Sequence, residues 1–256
     1  MNRISYWSGK RVWITGASSG IGAAVAHAMA AQGAHVAISA RSAETLGKIV
    51  EGLPGGPHLA LPLDARDAVA TKAAVERIIA EWGGIDLALL NAGTYQPMRG
   101  YELDLDAARE LLDVNLMGTL ACVAAAVTPM LASGKGQLAI VASVAGYRGL
   151  PKAAIYGASK AALINLAETL RLDLGPRGIK VQLINPGFVA TPLTAQNDFK
   201  MPALITPEQA ARAILAGLQS TRFEIHFPKR FTRFLKILRL LPYGIYFPIV
   251  RRITKL

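Results

Sequence analysis

Thr15-Gly-Ala-Ser-Ser-Gly-Ile-Gly22 lies between two segments of different character. The apolar run at residues 11–15 predicts a buried strand, and the alanine-rich residues 23–31 predict a helix. Strand, glycine turn and helix are the context of a dinucleotide-binding turn, where the backbone approaches a pyrophosphate and the helix N-terminus faces it. The candidate contacts are Gly16, Ser18, Ser19, Gly20, Ile21 and Gly22. A tight turn that binds nothing is the alternative.

Apolar strand runs and helical stretches alternate along the chain, which predicts a parallel sheet with helices on both faces. The strand candidates are 11–15, 35–40, 58–62, 86–91, 137–143, 180–185 and 223–227. No linker-like composition appears before residue 222. We therefore predict an α/β fold, a Rossmann-like doubly wound sheet of seven strands in a single domain at 1–228, with an extension at 229–256.

The second strand candidate ends at Ala40 and is followed by Arg41. Proteins that bind NAD commonly place an Asp or Glu here for the ribose 2′-hydroxyl. In this chain no carboxylate would repel a 2′-phosphate, and the Arg41 guanidinium would pair with one. The sequence thus favours NADP(H) over NAD(H), with a solvated arginine at a helix start as the alternative.

Tyr156 and Lys160 lie four residues apart, and Ser143 precedes Tyr156 by thirteen residues. A spacing of four places two side chains on one face of a helix. A tyrosine hydroxyl has a pKa of about 10, and a cation beside it favours the phenolate and lowers that pKa. The pair therefore predicts a general acid that works near neutral pH, although such pairs also occur by chance.

Together these residues resemble the short-chain dehydrogenase/reductase family. Further matches to its motifs are Asn91-Ala92-Gly93, Asn115 and the segment 185–191, and the resemblance covers residues from about 9 to about 227. It implies a catalytic set made of Asn115, Ser143, Tyr156 and Lys160.

The resemblance also implies what each residue does. Tyr156 exchanges a proton with the substrate oxygen, Ser143 hydrogen-bonds that oxygen, and Lys160 lowers the tyrosine pKa and holds the nicotinamide ribose. Asn115 helps to hold a water that relays the proton. The implied cofactor contacts beyond the glycine turn and Arg41 are Asp64 at the adenine, Asn91, Ala92, Gly93, Tyr156, Lys160, Pro186, Gly187, Val189 and Thr191.

The composition and apolar segments of the chain bear on disulfides, metal binding, cellular location and assembly. The single cysteine, Cys122, excludes an internal disulfide, and the four scattered histidines predict no metal site. No apolar N-terminal stretch indicates a secretory signal, so a cytoplasmic protein is expected. The apolar segment 116–132 is interrupted by Pro129 and predicts a buried helix at a subunit contact of a homodimer or homotetramer.

The C-terminal segment 222–256 carries most of the positive charge. It holds nine Lys or Arg residues and one acid, Glu224, in a chain whose net charge is +11. Phe231, Phe234, Leu235, Leu238 and Leu241 recur at helical spacing, with Thr232, Arg233, Lys236 and Arg239 on the other face, and Pro242 is expected to end the helix. The pattern fits a helix in a membrane interface, on the inner face of a membrane. A helix docked on the protein's own core or on a second subunit is equally compatible, and nucleic acid is not expected.

These observations predict an NADP(H)-dependent oxidoreductase that interconverts a carbonyl and a secondary alcohol. The region 192–206 follows Thr191 and is rich in apolar residues, so it predicts a lid over a lipophilic substrate. A non-catalytic NADP-binding sensor or scaffold of the same fold is the alternative, against which the complete catalytic set argues. A sugar-nucleotide epimerase of the extended type would need a longer chain.

Overall fold

Seven parallel strands form one sheet in the order β3-β2-β1-β4-β5-β6-β7. In this computed structural model, which describes residues 5–254, the strands are β1 Arg11–Thr15, β2 His35–Ser39, β3 Leu59–Ala60, β4 Leu87–Leu90, β5 Gly136–Val141, β6 Ile179–Pro186 and β7 Glu224–Phe227. In β1, Val12 and Ile14 face one core cluster and Trp13 faces the other. A sheet buried on both faces explains why its strands are apolar runs without polar alternation.

Nine α-helices are described, and they flank the sheet or follow it. They are α1 Gly20–Ala30, α2 Ala43–Glu51, α3 Ala68–Trp82, α4 Leu105–Leu112, α5 Gly118–Ser133, α6 Ala154–Leu174, α7 Pro207–Gln219, α8 Lys229–Leu240 and α9 Tyr243–Thr254. Buried residues of α1, α2 and α7 belong to one cluster, and those of α3, α5 and α6 belong to the other. The predicted single-domain, doubly wound parallel sheet is therefore confirmed.

Among the seven predicted strands, the one at 11–15 keeps its bounds, four shift by one residue at one or both ends, and two end two residues early. The candidate at 58–62 forms only Leu59–Ala60, and the candidate at 137–143 ends at Val141. The first lies at the sheet edge, where β2 is its only neighbour. The residues after Val141 leave the sheet because Ser143 begins a short 3₁₀ turn.

By length and composition alone, the helical stretch at 105–133 could cross a membrane. A helix in the core of a soluble protein can have the same length and composition. Its second part, α5, packs on the sheet through Cys122, Ala126 and Met130, which are buried. Other side chains of the stretch, including Met117 and Leu131, remain exposed in the single chain. The buried helix that the sequence predicts is present, and its subunit contact stays a prediction.

The basic segment folds into two helices that pack on the domain. α8 ends at Leu240, before Pro242, as predicted. Phe231 and Leu235 pack against the core of the sheet, while Leu238, Tyr246 and Val250 form a small cluster between α8 and α9.

The side chains of α8 that are buried and exposed differ in part from those that the sequence predicts. Thr232 is fully buried and bonds to His226, and Lys236 pairs with Glu224, whereas Phe234 is exposed. The structure therefore departs from the predicted faces at Thr232 and Phe234, and Lys236 is partly buried. Polar partners on β7, His226 and Glu224, draw both side chains inward.

Candidate active site

The predicted nucleotide-binding residues meet where the strand order reverses, between β1 and β4. Ligands of open parallel sheets bind at this position, outside the carboxyl ends of the strands. A groove of about 630 Å³ opens there. The sequence-predicted residues that line it are Gly16, Ser18, Ser19, Gly20, Ile21, Arg41, Asp64, Asn91, Ala92, Gly93 and Thr191.

The glycine turn is locked to the end of β4. Gly16 has a φ of +66°, and a Cβ there would lie 2.6 Å from the Cα of Ala92, so only glycine fits. The Asn91 side chain donates to the carbonyl oxygen of Gly16 at 2.9 Å, and the Thr15 hydroxyl accepts from the backbone N–H groups of Asn91 and Ala92. Gly22 lies outside the groove lining and lets α1 approach the carbonyl of Gly16.

The N-terminus of α1 carries no side-chain cap. By contrast, α2, α3, α4 and α7 each have a Ser, Thr or Asp side chain that accepts from their first-turn N–H groups. Uncapped N–H groups and the positive end of the helix dipole form an anion site. Because this end opens onto the groove, the residues present fit a pyrophosphate.

Two further candidates lie at the outer end of the groove. Arg41 is exposed there with its charged group close to Asp64. Asp64 pairs with Arg66 at 2.6 Å, and this hydrogen bond, with a contribution from Arg41, lowers the pKa of the Asp64 carboxyl. Arg66 was not predicted from the sequence, and its charge adds to the positive environment that Arg41 provides.

The residues after β6 lie in two different environments, the groove and the contact with α8. Thr191 lines the groove, and Val189 is buried with its carbonyl accepting from the Thr194 hydroxyl at 2.5 Å. Pro186 ends β6, and Gly187 lies against the ring of Phe231 in α8. Pro186, Gly187 and Val189 do not line this groove among the described residues, and their contact with the cofactor stays a prediction. Here they connect the sheet to α8 and to the region 192–206.

Three of the four expected catalytic side chains lie together beside the groove. Ser143 follows β5, and its hydroxyl lies near that of Tyr156, which is on the first turn of α6. Lys160, one turn further on, is buried, and its Nζ donates to the Val141 carbonyl at 3.1 Å. This Nζ lies 5.7 Å from the centre of the Tyr156 ring. A Cβ on Gly93 would approach the same Nζ to 3.4 Å, so the glycine leaves the ammonium open to the groove.

The protonation of this group differs from the sequence expectation. Burial raises the pKa of Tyr156 to about 12, while the hydrogen bond from Ser143 lowers it. Burial also lowers the pKa of Lys160 to about 8. In the protein without a cofactor, desolvation therefore outweighs the attraction that was expected to bring the Tyr156 pKa toward neutrality.

Asn115 lies inside an unusual helical turn. Residues Asp113–Met117 form a π-helical turn between α4 and α5, a feature often found at functional sites. The Asn115 side chain accepts from the Thr94 N–H at 2.7 Å and donates to the Thr94 carbonyl at 3.0 Å and the Ser159 hydroxyl at 3.1 Å. It thereby fixes the loop after β4 against α6, which carries Tyr156 and Lys160.

Sequence reasoning missed Tyr95. Its ring meets that of Tyr156 edge to face at 4.9 Å, and its hydroxyl donates to the Asn197 side chain at 2.9 Å. Asn197 lies in the predicted lid at 192–206, which Asp198 also ties down through Lys152. No periodicity or motif marks Tyr95, since its partners are 61 and 102 residues away along the chain.

The arrangement combines a nucleotide-sized groove with an adjacent group that can move a proton. A tyrosine hydroxyl, a serine hydroxyl and an ammonium lie near one another, which suits an oxygen that gains or loses a proton. Within residues 5–254, no cluster of His, Cys, Asp or Glu side chains could hold a metal ion.

Comparison with known proteins agrees with this geometry. The family model described as short chain dehydrogenase matches residues 10–201. An uncharacterized oxidoreductase of Myxococcus xanthus is 34% identical over 255 residues, which cover 99% of this chain and 100% of that protein. That alignment therefore includes the C-terminal segment.

Two further proteins are similar over most of their length. The cis-4-hydroxycyclohexanecarboxylate dehydrogenase of Sinomonas cyclohexanicum is 35% identical, with 80% of this chain and 82% of that protein covered. The crystal structure of a short-chain dehydrogenase from Streptomyces avermitilis superposes with a TM-score of 0.79 at 27% identity, covering 90% of this chain and 92% of that one.

Proposed function

The chain belongs to the short-chain dehydrogenase family, oxidoreductases that act on CH–OH groups, and we propose that it is an NADP(H)-dependent enzyme that interconverts a carbonyl and a secondary alcohol. The observation that carries the proposal is the convergence of Ser143, Tyr156 and Lys160 beside the groove at the strand-order reversal. When bound, the nicotinamide cofactor supplies or accepts the hydride.

The residues of this chain handle the proton. In the reducing direction, Tyr156 donates its hydroxyl proton to the substrate oxygen while the Ser143 hydroxyl holds that oxygen by a hydrogen bond. Lys160 has three ammonium hydrogens, of which one bonds to the Val141 carbonyl, so two can face the groove. The positive charge of Lys160 stabilises the phenolate that forms when Tyr156 gives up its proton.

Preference for the phosphorylated cofactor is attributed to Arg41. It lines the outer end of the groove and is free of any ion pair among the described residues. Arg66 is paired with Asp64, so its charge is largely engaged. A 2′-phosphate at this end would meet an available guanidinium, which binds phosphate strongly.

The substrate class is proposed from the walls of the site. The Tyr95 ring packs against that of Tyr156, the Phe199 ring of the lid region packs against Phe188, and Leu204 is exposed in the same segment. Apolar walls favour a lipophilic carbonyl or alcohol.

A turnover screen tests the function. Purified protein is mixed with NADPH and with ketones graded by chain length, and NADPH oxidation is followed alongside NADPH binding. We expect turnover that increases with chain length and falls sharply in Tyr156→Phe. Binding of NADPH without turnover on any substrate would instead favour the sensor or scaffold function.

We also propose the assembly and location that the sequence suggests. Exposed apolar residues on the 105–133 stretch, such as Met117 and Leu131, support a homodimer or homotetramer. The basic residues of 229–256 support a cytoplasmic protein in peripheral contact with a membrane. Size-exclusion chromatography with light scattering tests the assembly.

A further inference from the structure

The C-terminal hairpin, defined as α8 and α9 at residues 229–254, is capped by one arginine from the catalytic domain. The Arg148 guanidinium donates to the carbonyl oxygens of Leu238, Arg239 and Leu241 at 3.1, 3.2 and 2.6 Å. These carbonyls lie at the C-terminal end of α8, where that of Leu238 also accepts from the Leu241 N–H at 3.3 Å; the cation adds a donor to all three and complements the negative helix end.

The same arginine and its neighbour also hold α9. Arg148 lies over the rings of Tyr243 and Tyr246, 4.4 and 4.0 Å from their centres. The Tyr246 hydroxyl donates to the Gly149 carbonyl at 2.6 Å. Because Arg148 and Gly149 belong to the loop between Ser143 and Tyr156, the hairpin has a fixed orientation relative to the active site.

The hairpin leaves an outer face of apolar and basic side chains exposed. Its apolar members are Phe234, Ile237, Leu240, Tyr243, Ile245 and Phe247, with exposed fractions from 44% at Phe234 to 84% at Leu240. Its basic members are Lys229, Arg230, Arg233, Arg251 and Arg252. Positions 230, 233, 234 and 237 fall on one side of α8 by their spacing.

The charge of this outer face has no counter-charge on the hairpin. No Asp or Glu follows Glu224 in the sequence. Glu224 itself is occupied on the inner side by Lys236, Tyr147 and Asn185. Five cations therefore stand among exposed aromatic and aliphatic side chains without an acidic partner.

We propose that the outer face of the hairpin docks on a lipid bilayer that contains anionic headgroups. Aromatic and aliphatic side chains of an interfacial helix enter the headgroup–acyl boundary while Arg and Lys meet lipid phosphates. A second copy of the chain fits poorly, because a two-fold contact would place this positive face against itself. Nucleic acid would meet the cations and leave the apolar side chains exposed.

Docking would place the substrate entrance at the bilayer surface, an extension that rests on the proposed lipophilic substrate. The Phe188 ring lies 5.7 Å from Phe199 in the lid region and 5.7 Å from Phe231 in α8. This aromatic row connects the lid to the hairpin.

Vesicle flotation tests the surface with the full chain. Phosphatidylcholine vesicles with and without about one-third phosphatidylserine are compared at low and high salt, since screening weakens contacts with anionic lipid. We expect binding only to the anionic vesicles, and weaker binding at high salt. Neutralising Arg230, Arg233, Arg251 and Arg252 to Gln should weaken binding about fivefold per residue, or several hundredfold together. A triple change of Phe234, Ile237 and Phe247 to Ser should weaken it with all charges retained.

A matched control separates this face from net charge. Lys72, Arg109, Arg177 and Arg212 are exposed outside the hairpin, and changing all four to Gln removes the same charge. This control should bind vesicles nearly like wild type. Equal loss in the control, no flotation of wild type at low salt, or tighter binding to duplex DNA than to vesicles would each overturn the proposal. A change in oligomeric mass in the serine variant would also overturn it, because the face would then be a subunit contact.

Turnover of a short, water-soluble ketone without vesicles is measured on every variant. Unchanged turnover in the hairpin variants shows that they are folded. Vesicle binding without any turnover would refute the proposed enzyme function while leaving the docking surface intact, so the two failures are distinguishable.

Discussion

Removing the Arg148 side chain is expected to loosen the C-terminal hairpin. Arg148→Ala deletes three hydrogen bonds to carbonyl oxygens and two contacts with tyrosine rings. A hydrogen bond from a charged group contributes about 1.5–3 kcal/mol, and a partly exposed cation–π contact about 0.5–1 kcal/mol. Because Arg148 is half-buried and these contacts share one side chain, we count one full hydrogen bond and two ring contacts. The expected loss is about 3 kcal/mol.

The loss of stability should affect the C-terminal hairpin before it affects the rest of the domain. Amide hydrogen exchange followed by mass spectrometry should show residues 229–254 exchanging about a hundredfold faster or more, with core strands such as β4 less affected. If the hairpin unfolds with the domain, the midpoint of thermal unfolding should fall by about 6–12 °C. Arg148→Lys should recover only part of this, since an ammonium cannot reproduce the contacts of the planar guanidinium with both rings.

Arg177→Ala is the matched control, because Arg177 is exposed and should change stability by less than about 0.5 kcal/mol. Activity supplies a further readout, since Arg148 and Gly149 lie in the loop between Ser143 and Tyr156. We expect KM for long ketones to rise more than kcat falls. Unchanged exchange in the hairpin together with an unchanged melting midpoint would refute the reasoning that Arg148 holds it in place.

The remaining predictions concern the catalytic site. Tyr156→Phe should reduce turnover at least about a hundredfold while NADPH binding, measured by fluorescence titration, stays nearly unchanged; near-normal turnover would contradict the proposed proton donor. Arg41→Ala should weaken NADPH binding about ten- to a hundredfold and hardly change NADH binding, and equal losses for both would reject the assignment. Below pH about 8 the Lys160 ammonium predominates, so kcat/KM for ketone reduction should fall as pH rises through about 8, while the Tyr156 hydroxyl, with a pKa of about 12, stays protonated. Lys160→Arg should move this fall to higher pH, and a profile that does not shift would assign it to another group.

The two pKa shifts explain how the site can work although the Tyr156 hydroxyl by itself has a pKa far above neutral pH. Burial makes both the phenolate of Tyr156 and the ammonium of Lys160 costly. Donating the Tyr156 proton creates a phenolate beside the existing ammonium. The two groups then carry opposite charges that attract each other, whereas before the transfer only Lys160 is charged. Both shifts describe the chain without cofactor, whose binding adds charges to the groove.

Local features of the sequence determined the fold and its nucleotide groove. A strand, a glycine turn and a helix at residues 11–31 are contiguous, and their geometry follows from backbone sterics and helix propensity. The alternation of apolar strands and helices along the chain similarly predicted a parallel sheet, which the structure confirms. Arg41 could be placed in the groove because it directly follows a strand.

Contacts between distant parts of the chain were decided only by the tertiary structure. Tyr95 reaches Tyr156, and Arg148 reaches the end of α8, without any shared motif or periodicity. Helical spacing identified an amphipathic segment at 229–241 but could not say that Thr232 turns inward and Phe234 outward. That choice depends on where His226 and Glu224 lie on β7, because burying a polar side chain is favourable only where a partner is already in place. Periodicity records which residues share a face, whereas the direction in which that face points is set by the surface it packs against.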